Sequence, residues 1–292
     1  MTTDTSLDLA ALFAFTEHTP DHLSLPPTHS PMARLYGGQV VAQALAAAQA
    51  SAPPDRFVNA LHANFIRAGD PAAPLHFHLE RDSEGRSFST RRITVRQQGR
   101  TILTMSASFH VPEAGQHHQF PMPDVPGPEG LATQLDWLQP LAAQLPARHQ
   151  AFWLRDGFIE YRPVEPFHVF SPPITPPRRH VWFRCTRALP ADRALHQRLL
   201  AYASDLHILH TALAPFGRTW ADPELQDASL DHALWFHAHA PLTDWMLYAL
   251  DSPVAAGALG LGRGLIFAAD GRLIASAVQQ GLIRFPTEGR DT

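Results

Sequence analysis

Cysteine is almost missing from this chain. One residue in 292, Cys185, leaves no intramolecular disulfide and no cysteine-rich zinc site. It closes the strand-like run Val181-Trp182-Phe183-Arg184-Cys185 and reads as a packed apolar side chain rather than a nucleophile. Long apolar runs are missing too, since nothing approaches the ~20 residues of a membrane helix. Residues 1–4 lack the basic segment that opens a signal peptide. Arg290-Asp291-Thr292 is not a peroxisomal targeting tripeptide. The expectation is a cytoplasmic protein with no membrane partner. Charge is sparse, at 17% against 45% hydrophobic residues, with a net charge of −4. That balance suits a folded globular chain and speaks against a nucleic-acid partner.

Several chemical signatures are missing as well. No Gly-x-Ser-x-Gly elbow presents a serine nucleophile. No Gly-x-x-x-x-Gly-Lys-Ser/Thr or Gly-x-Gly-x-x-Gly loop cradles a phosphate. Histidine, by contrast, is plentiful at 18 residues, but these are scattered along the chain. His207 and His210 are three apart on a predicted helix, yet no third ligand stands at a familiar spacing. Neither a metal nor another cofactor is expected.

Proline marks the organisation. Pro112, Pro121, Pro123, Pro126, Pro128, Pro140 and Pro146 fall in one segment, too dense for a sheet or a long helix. This suggests an N-terminal unit over residues 1–112, a linker over 113–150 with a short helix near 130–145, and a C-terminal unit over 151–292. In the first unit, Gly37-Gly38 precedes an alanine-rich run, residues 39–49, with high helix propensity and few polar groups, so a buried helix is expected. Strand-like segments follow at 57–67, 74–81, 87–97 and 101–110. Their short connections, with Glu84-Gly85 and Gln98-Gly99, call for antiparallel pairing. The second unit repeats the order: strands at 158–164 and 180–187, a helix over 191–213, then strands at 229–237, 245–251, 257–268 and 273–285. A helix followed by antiparallel strands, twice over, suggests a duplicated α+β unit. Two unrelated α+β domains would give the same periodicity.

Three polar residues stand out. On a helix, Asp205 has Ala201, Tyr202, Ile208 and Leu209 as its three- and four-residue neighbours. A carboxylate in so apolar a patch serves a structural hydrogen bond or a function. Gln279 lies in the apolar strand Leu273-Ile274-Ala275-Ser276-Ala277-Val278-Gln279, on the face of Ala275 and Ala277. A buried glutamine must find partners for its amide, and many do so in ordinary cores. Ser229 opens a strand, where serine is commonplace. Asp231-His232 nearby resembles an acid–base pair, but strand neighbours face opposite ways, so His232 reads as structural.

Six blocks in register carry a resemblance. They are Arg34-Leu35-Tyr36-Gly37-Gly38-Gln39-Val40-Val41-Ala42-Gln43-Ala44-Leu45, Arg86-Ser87-Phe88-Ser89-Thr90-Arg91-Arg92, Met105-Ser106-Ala107-Ser108-Phe109, Tyr202-Ala203-Ser204-Asp205, Leu230-Asp231-His232-Ala233-Leu234-Trp235-Phe236-His237 and Val278-Gln279-Gln280-Gly281. Together they resemble the acyl-CoA thioesterase II family from about residue 30 to residue 285. The resemblance implies a double hotdog fold: two antiparallel sheets, each wrapped around a central helix. It implies hydrolysis of acyl-CoA by an activated water held by Asp205, Ser229 and Gln279. Ser229 stands where the bacterial pattern often has Thr, and Gln280 where Glu is commoner. The family also implies a homo-oligomer.

Gly37 and Gly38, at a helix start, are candidates for the oxyanion or substrate contact. Arg67, Arg86, Arg91 and Arg92 are candidates for the CoA phosphates; solvated strand charges are the competing reading. A gapless match of the two helices pairs Ala47 with Asp205, which leaves one carboxylate site per chain. Two other readings stay open: a non-catalytic acyl-CoA binding module, and a hotdog enoyl-CoA hydratase or dehydratase. The latter usually needs a facing Asp/His pair, and Asp205 and His210, five apart on a helix, diverge by roughly 140°.

Overall fold

The computed structural model describes residues 9–28, 33–155, 157–166 and 168–285. The terminal residues read for targeting signals, 1–4 and 290–292, lie outside the described residues. No helix among the described residues is long and apolar enough to cross a membrane.

The strands are β1 (Thr16–Thr19), β2 (His22–Leu25), β3 (Phe57–Phe65), β4 (Leu75–Glu84), β5 (Phe88–Gln97) and β6 (Arg100–His110) in the first half. The second half has β7 (Ile159–Pro163), β8 (Arg178–Cys185), β9 (Gln226–Ser229), β10 (Asp231–Phe236), β11 (Met246–Ala256), β12 (Leu259–Ala268) and β13 (Leu273–Arg284). The Gln98-Gly99 pair has φ of 48° and 75°, the left-handed pair that a two-residue hairpin requires. Helix α1 (Gly37–Ala50) lies in the first half, α2 (Gln134–Leu138) and α3 (Ala147–Trp153) between the halves, and α4 (Arg193–Ser204) in the second. Thr133 and Asp136 form a capping box that starts α2 within the proline-rich segment.

All strands among the described residues join one antiparallel sheet of 13 strands, ordered β1-β2-β4-β5-β6-β3-β10-β13-β12-β11-β8-β7, with β9 paired to β13. The two expected sheets are therefore hydrogen-bonded to each other through β3 and β10, with His232 opposite Ala63. Outward from that seam the order is β3-β6-β5-β4-β2 on one side and β10-β13-β12-β11-β8 on the other. The same topology appears twice, which favours the duplicated unit over two unrelated domains.

Helix α1 is buried from Gly38 to Ala48, which explains its shortage of polar side chains. It packs on β3, β4, β5 and β6 and against α4. One apolar core runs through both halves. Cys185 belongs to it, buried and with its thiol pushed up by burial.

The long helix expected over 191–213 is interrupted. α4 stops at Ser204, Asp205 is its C-cap, and His207 is left-handed with φ of 71°. A 3₁₀ segment, Leu209–Phe216, then packs on β8, β11, β12 and β13. Glycines make room for it: a Cβ on Gly262 would fall 2.3 Å from the Ile208 carbonyl oxygen. This turn, not a continuous helix, sets the neighbours of Asp205 and its direction relative to His210.

Candidate active site

Asp205 is held from two sides. On its own side, three tyrosine hydroxyls cap the last carbonyls of α4. Tyr36 donates to Tyr202 O (2.9 Å), Tyr161 to Ala203 O (3.3 Å) and Tyr248 to Ser204 O (2.8 Å). The Tyr202 and Ser204 carbonyls gain a side-chain partner at a buried helix end this way, while the Ala203 carbonyl also accepts from the Leu206 N–H (3.3 Å). Burial pushes all three phenols well above their ordinary range, so they remain donors. On the other side, Gly38 N–H donates to Asp205 Oδ2 at 2.7 Å. The carboxylate thus caps the N-terminus of α1, whose first N–H groups favour an anion.

This contact needs glycine. A Cβ on Gly37 would meet Asp205 Oδ2 at 2.9 Å, and one on Gly38 would meet Tyr202 O at 2.4 Å. Gly38 was an oxyanion candidate, but its N–H is already committed to the carboxylate. Its place in the site is to hold Asp205.

Asp205 as a residue keeps some exposure, but its Oδ1 is shielded from solvent and has no hydrogen-bond partner among the described residues. Burial raises its pKa, opposed by His232, the Gly38 N–H, the Gln279 amide and His210.

Gln279 and Ser229 meet as the sequence suggests. Gln279 is buried on the core face of β13, and its Nε2 donates to Ser229 Oγ at 2.7 Å. The Gln279 Oε1 accepts from His232 Nδ1 at 2.6 Å, and His232 Nε2 lies 2.9 Å from Ser204 Oγ. With Gln279 Oε1 an acceptor, the neutral imidazole carries its proton on Nδ1, and the Ser204 hydroxyl proton is shared between His232 Nε2 (2.9 Å) and the Ala201 carbonyl (3.1 Å). Burial holds the His232 pKa below its ordinary value, against the pull of Asp205.

Sequence reasoning set His232 aside, and alternation was the cause. Asp231 does face away from His232, toward His62 (3.1 Å) and the Gln280 N–H (2.8 Å). Between β9 and β10, however, the register against β13 slips by one residue, from Ser229↔Gly281 to Ala233↔Val278. Such a bulge re-aims side chains. It lets Ser229 and His232, three apart, both reach Gln279. No sequence signal marks it except the adjacent polar pair.

The arginines separate clearly. Arg91 is buried at 1% exposure and spends all five N–H groups internally, on Ser51, Ser83, Thr90 and Glu84. It has no donor left for a phosphate, so its CoA assignment is corrected to a structural one. Through Ser51 it also marks the far end of α1, about 20 Å along the helix from Gly38. Arg92 is exposed and paired with Asp82 and Glu80. Arg86 is exposed in the β4–β5 turn. Arg67 is exposed and lies just past Phe65, whose ring borders Gly37, so it alone of the four is at the Asp205 end. Matched by their C-caps, the two helices pair Asp205 with Ser51 rather than Ala47. The first half still has no carboxylate at that position.

Beside Tyr36, Tyr202 and Leu206 opens a cavity of about 230 Å³, walled further by Phe152, Trp153 and Phe158. Arg155 lies at it, donating to Tyr202 Oη at 2.8 Å and stacked over Phe152. The linker helices thus build a wall that the sequence left unassigned.

Comparison with known proteins gives a consistent result. The family model for acyl-CoA thioesterase matches residues 156–282, and that for the acyl-CoA thioesterase N-terminal domain matches residues 25–110. Acyl-CoA thioesterase 2 of Haemophilus influenzae is 39% identical, over 86% of this chain and 88% of that protein. Human acyl-coenzyme A thioesterase 8 is 37% identical, over 87% of this chain and 82% of the relative. The crystal structure of an acyl-CoA thioesterase II, TesB2, from Mycobacterium marinum superposes with a TM-score of 0.76 at 31% identity, covering 98% of this chain and 100% of that one.

Proposed function

Given that this chain belongs to the acyl-CoA thioesterase family, we propose that it hydrolyses acyl-CoA to a fatty acid and CoA at the Asp205–Ser229–Gln279 cluster. The observation that carries the assignment is Asp205, whose shielded Oδ1 has no hydrogen-bond partner within 3.5 Å among the described residues and whose carboxylate is stabilised by the nearby Gln279 amide. Its free acceptor capacity is what a nucleophilic water requires.

In this mechanism Asp205 accepts the proton of a water as the water oxygen bonds to the thioester carbonyl carbon. Ser229, held by Gln279, orients that water and reduces the entropic cost of attack. His232 and Ser204 fix the Gln279 amide from behind. The developing oxyanion needs a donor. Gly38 is committed, so the Gly37 N–H, which has no partner among the described residues, takes that role. Collapse of the tetrahedral intermediate breaks the C–S bond, and the CoA sulfur leaves with the proton returned by Asp205. The aromatic cavity by Tyr36 and Phe152 receives the acyl chain, and Arg67 lies where it can meet the CoA phosphates.

The test is thiol release from a panel of acyl-CoAs of increasing chain length. Turnover that disappears in Asp205→Asn supports the assignment. Stoichiometric acyl-CoA binding without thiol release on any member would make the chain a binding module. Loss of enoyl-CoA absorbance without thiol release would make it a hydratase.

A further inference from the structure

The histidines that look scattered in sequence are not all scattered in space. His18 on β1, His22 on β2 and His76 on β4 converge at one end of the sheet, with one ring nitrogen from each within 4.8 Å of the others. We propose that these three imidazoles form a binding site for a late first-row divalent metal ion of the Zn²⁺ type, distinct from the thioesterase site.

The geometry suits such an ion. His22 Nε2 and His76 Nδ1 are 3.3 Å apart. Two nitrogens bound tetrahedrally at about 2.0–2.1 Å from zinc would be roughly 3.3–3.4 Å apart. The separation of this pair matches that of two ligands on one ion. As a hydrogen bond between rings, the same separation is longer than the ~2.9–3.0 Å optimum. His18 closes the triangle by rotation of an exposed side chain. Its Nε2 lies 2.8 Å from Ser24 Oγ, a contact that this rotation exchanges for the ion. His78 stacks on His22 with rings 4.5 Å apart and 12° from parallel, which fixes the central ring.

The donor set chooses the metal. Three imidazoles without a carboxylate suit Zn²⁺, Ni²⁺ or Cu²⁺ and not Mg²⁺ or Ca²⁺. Three protein ligands leave a position for water or an exogenous ligand. The site also has a structural consequence. β1 is the exposed edge strand of the sheet, and edge strands are prone to fraying or to pairing with other chains. A metal bridging His18, His22 and His76 would tie β1 to β2 and β4.

The experiment is titration of the chelator-treated full chain with ZnCl₂ by calorimetry, with MgCl₂ as control, and thermal unfolding in parallel. One Zn²⁺ per chain and a raised Tm are expected, with no response to Mg²⁺. Removing a ligand must cost at least as much as losing its outer-shell partner, so His22→Gln and His76→Ala should each weaken Zn²⁺ binding about tenfold or more. His117→Ala with His118→Ala, both exposed in the linker, should leave it unchanged. Thiol release by the metal-free His22→Gln protein at the wild-type rate would show that the fold is intact. Absence of stoichiometric Zn²⁺ binding, or equal binding by wild type and the His22 and His76 variants, would overturn the proposal.

Discussion

Replacing Asp205 with Asn separates catalysis from stability in one position. The amide keeps a carbonyl oxygen for the Gly38 N–H, so the 2.7 Å contact at the start of α1 survives. The proton acceptor is lost. General-base catalysis is worth about 10²–10⁴ in rate, or roughly 3–5 kcal/mol of barrier. Thiol release should therefore fall by that factor in kcat with little change in KM. Stability should move the other way. Burial raises the native pKa of Asp205 above its ordinary value of 3.8. Below the unfolded value both states hold the proton and the group contributes equally. As pH rises toward and through the elevated native value, the unfolded chain ionises more readily, so stability is lost. Asp205→Asn removes that loss. Urea unfolding at pH 8 should find the variant at least as stable as wild type, and the difference should vanish near pH 4. The acidic limb of kcat in the wild type should lie above the ordinary carboxylate range. Retained turnover in the variant would remove Asp205 from the chemistry. A variant markedly less stable at pH 8 than wild type would show the carboxylate to be a structural cap.

Ser229→Ala takes away the 2.7 Å partner of Gln279; a loss of about 1–2 kcal/mol, roughly five- to thirtyfold in kcat, is expected, and Ser229→Thr should restore most of it. His207 is buried and neutral, its pKa lowered to about 3 by burial, with Arg179 and His210 adding to the effect. Its stability contribution is lost as pH falls below the unfolded value of 6.5. By pH 5 the cost should reach about 2 kcal/mol relative to pH 8, and His207→Asn, which tolerates the left-handed backbone, should not pay it. Equal acid sensitivity in wild type and variant by urea unfolding would refute this. Arg91→Ala should lower stability by at least about 2 kcal/mol, because five internal hydrogen bonds go. In soluble folded variant protein the KM for acyl-CoA should stay unchanged, and a raised KM would return Arg91 to the CoA site.

The sequence by itself indicated most strands of both halves, the buried helix α1 and the order of elements in each half, and its family resemblance pointed to three candidate polar residues; β1, β2 and the break of the second helix were not legible in it. Alternation in 273–285 put Gln279 on the core face because strand side chains follow a period of two. The alanine-rich run after Gly37-Gly38 announced a helix with no exposed side. Asp205 drew attention because an acid among apolar neighbours needs a partner. The tertiary structure alone decided what those residues touch. The break of α4 at Asp205 is fixed by Tyr36, Tyr161 and Tyr248, which come from three distant segments. The bulge after Ser229 brings His232 to Gln279, reversing the facing that local alternation dictates. Arg91 turned inward because Ser51 and Glu84 absorb its donors, and His18, His22 and His76 met only when β4 paired beside β2. Local period follows from backbone geometry within a few residues, whereas a partner is set by the packing of segments far apart in the chain.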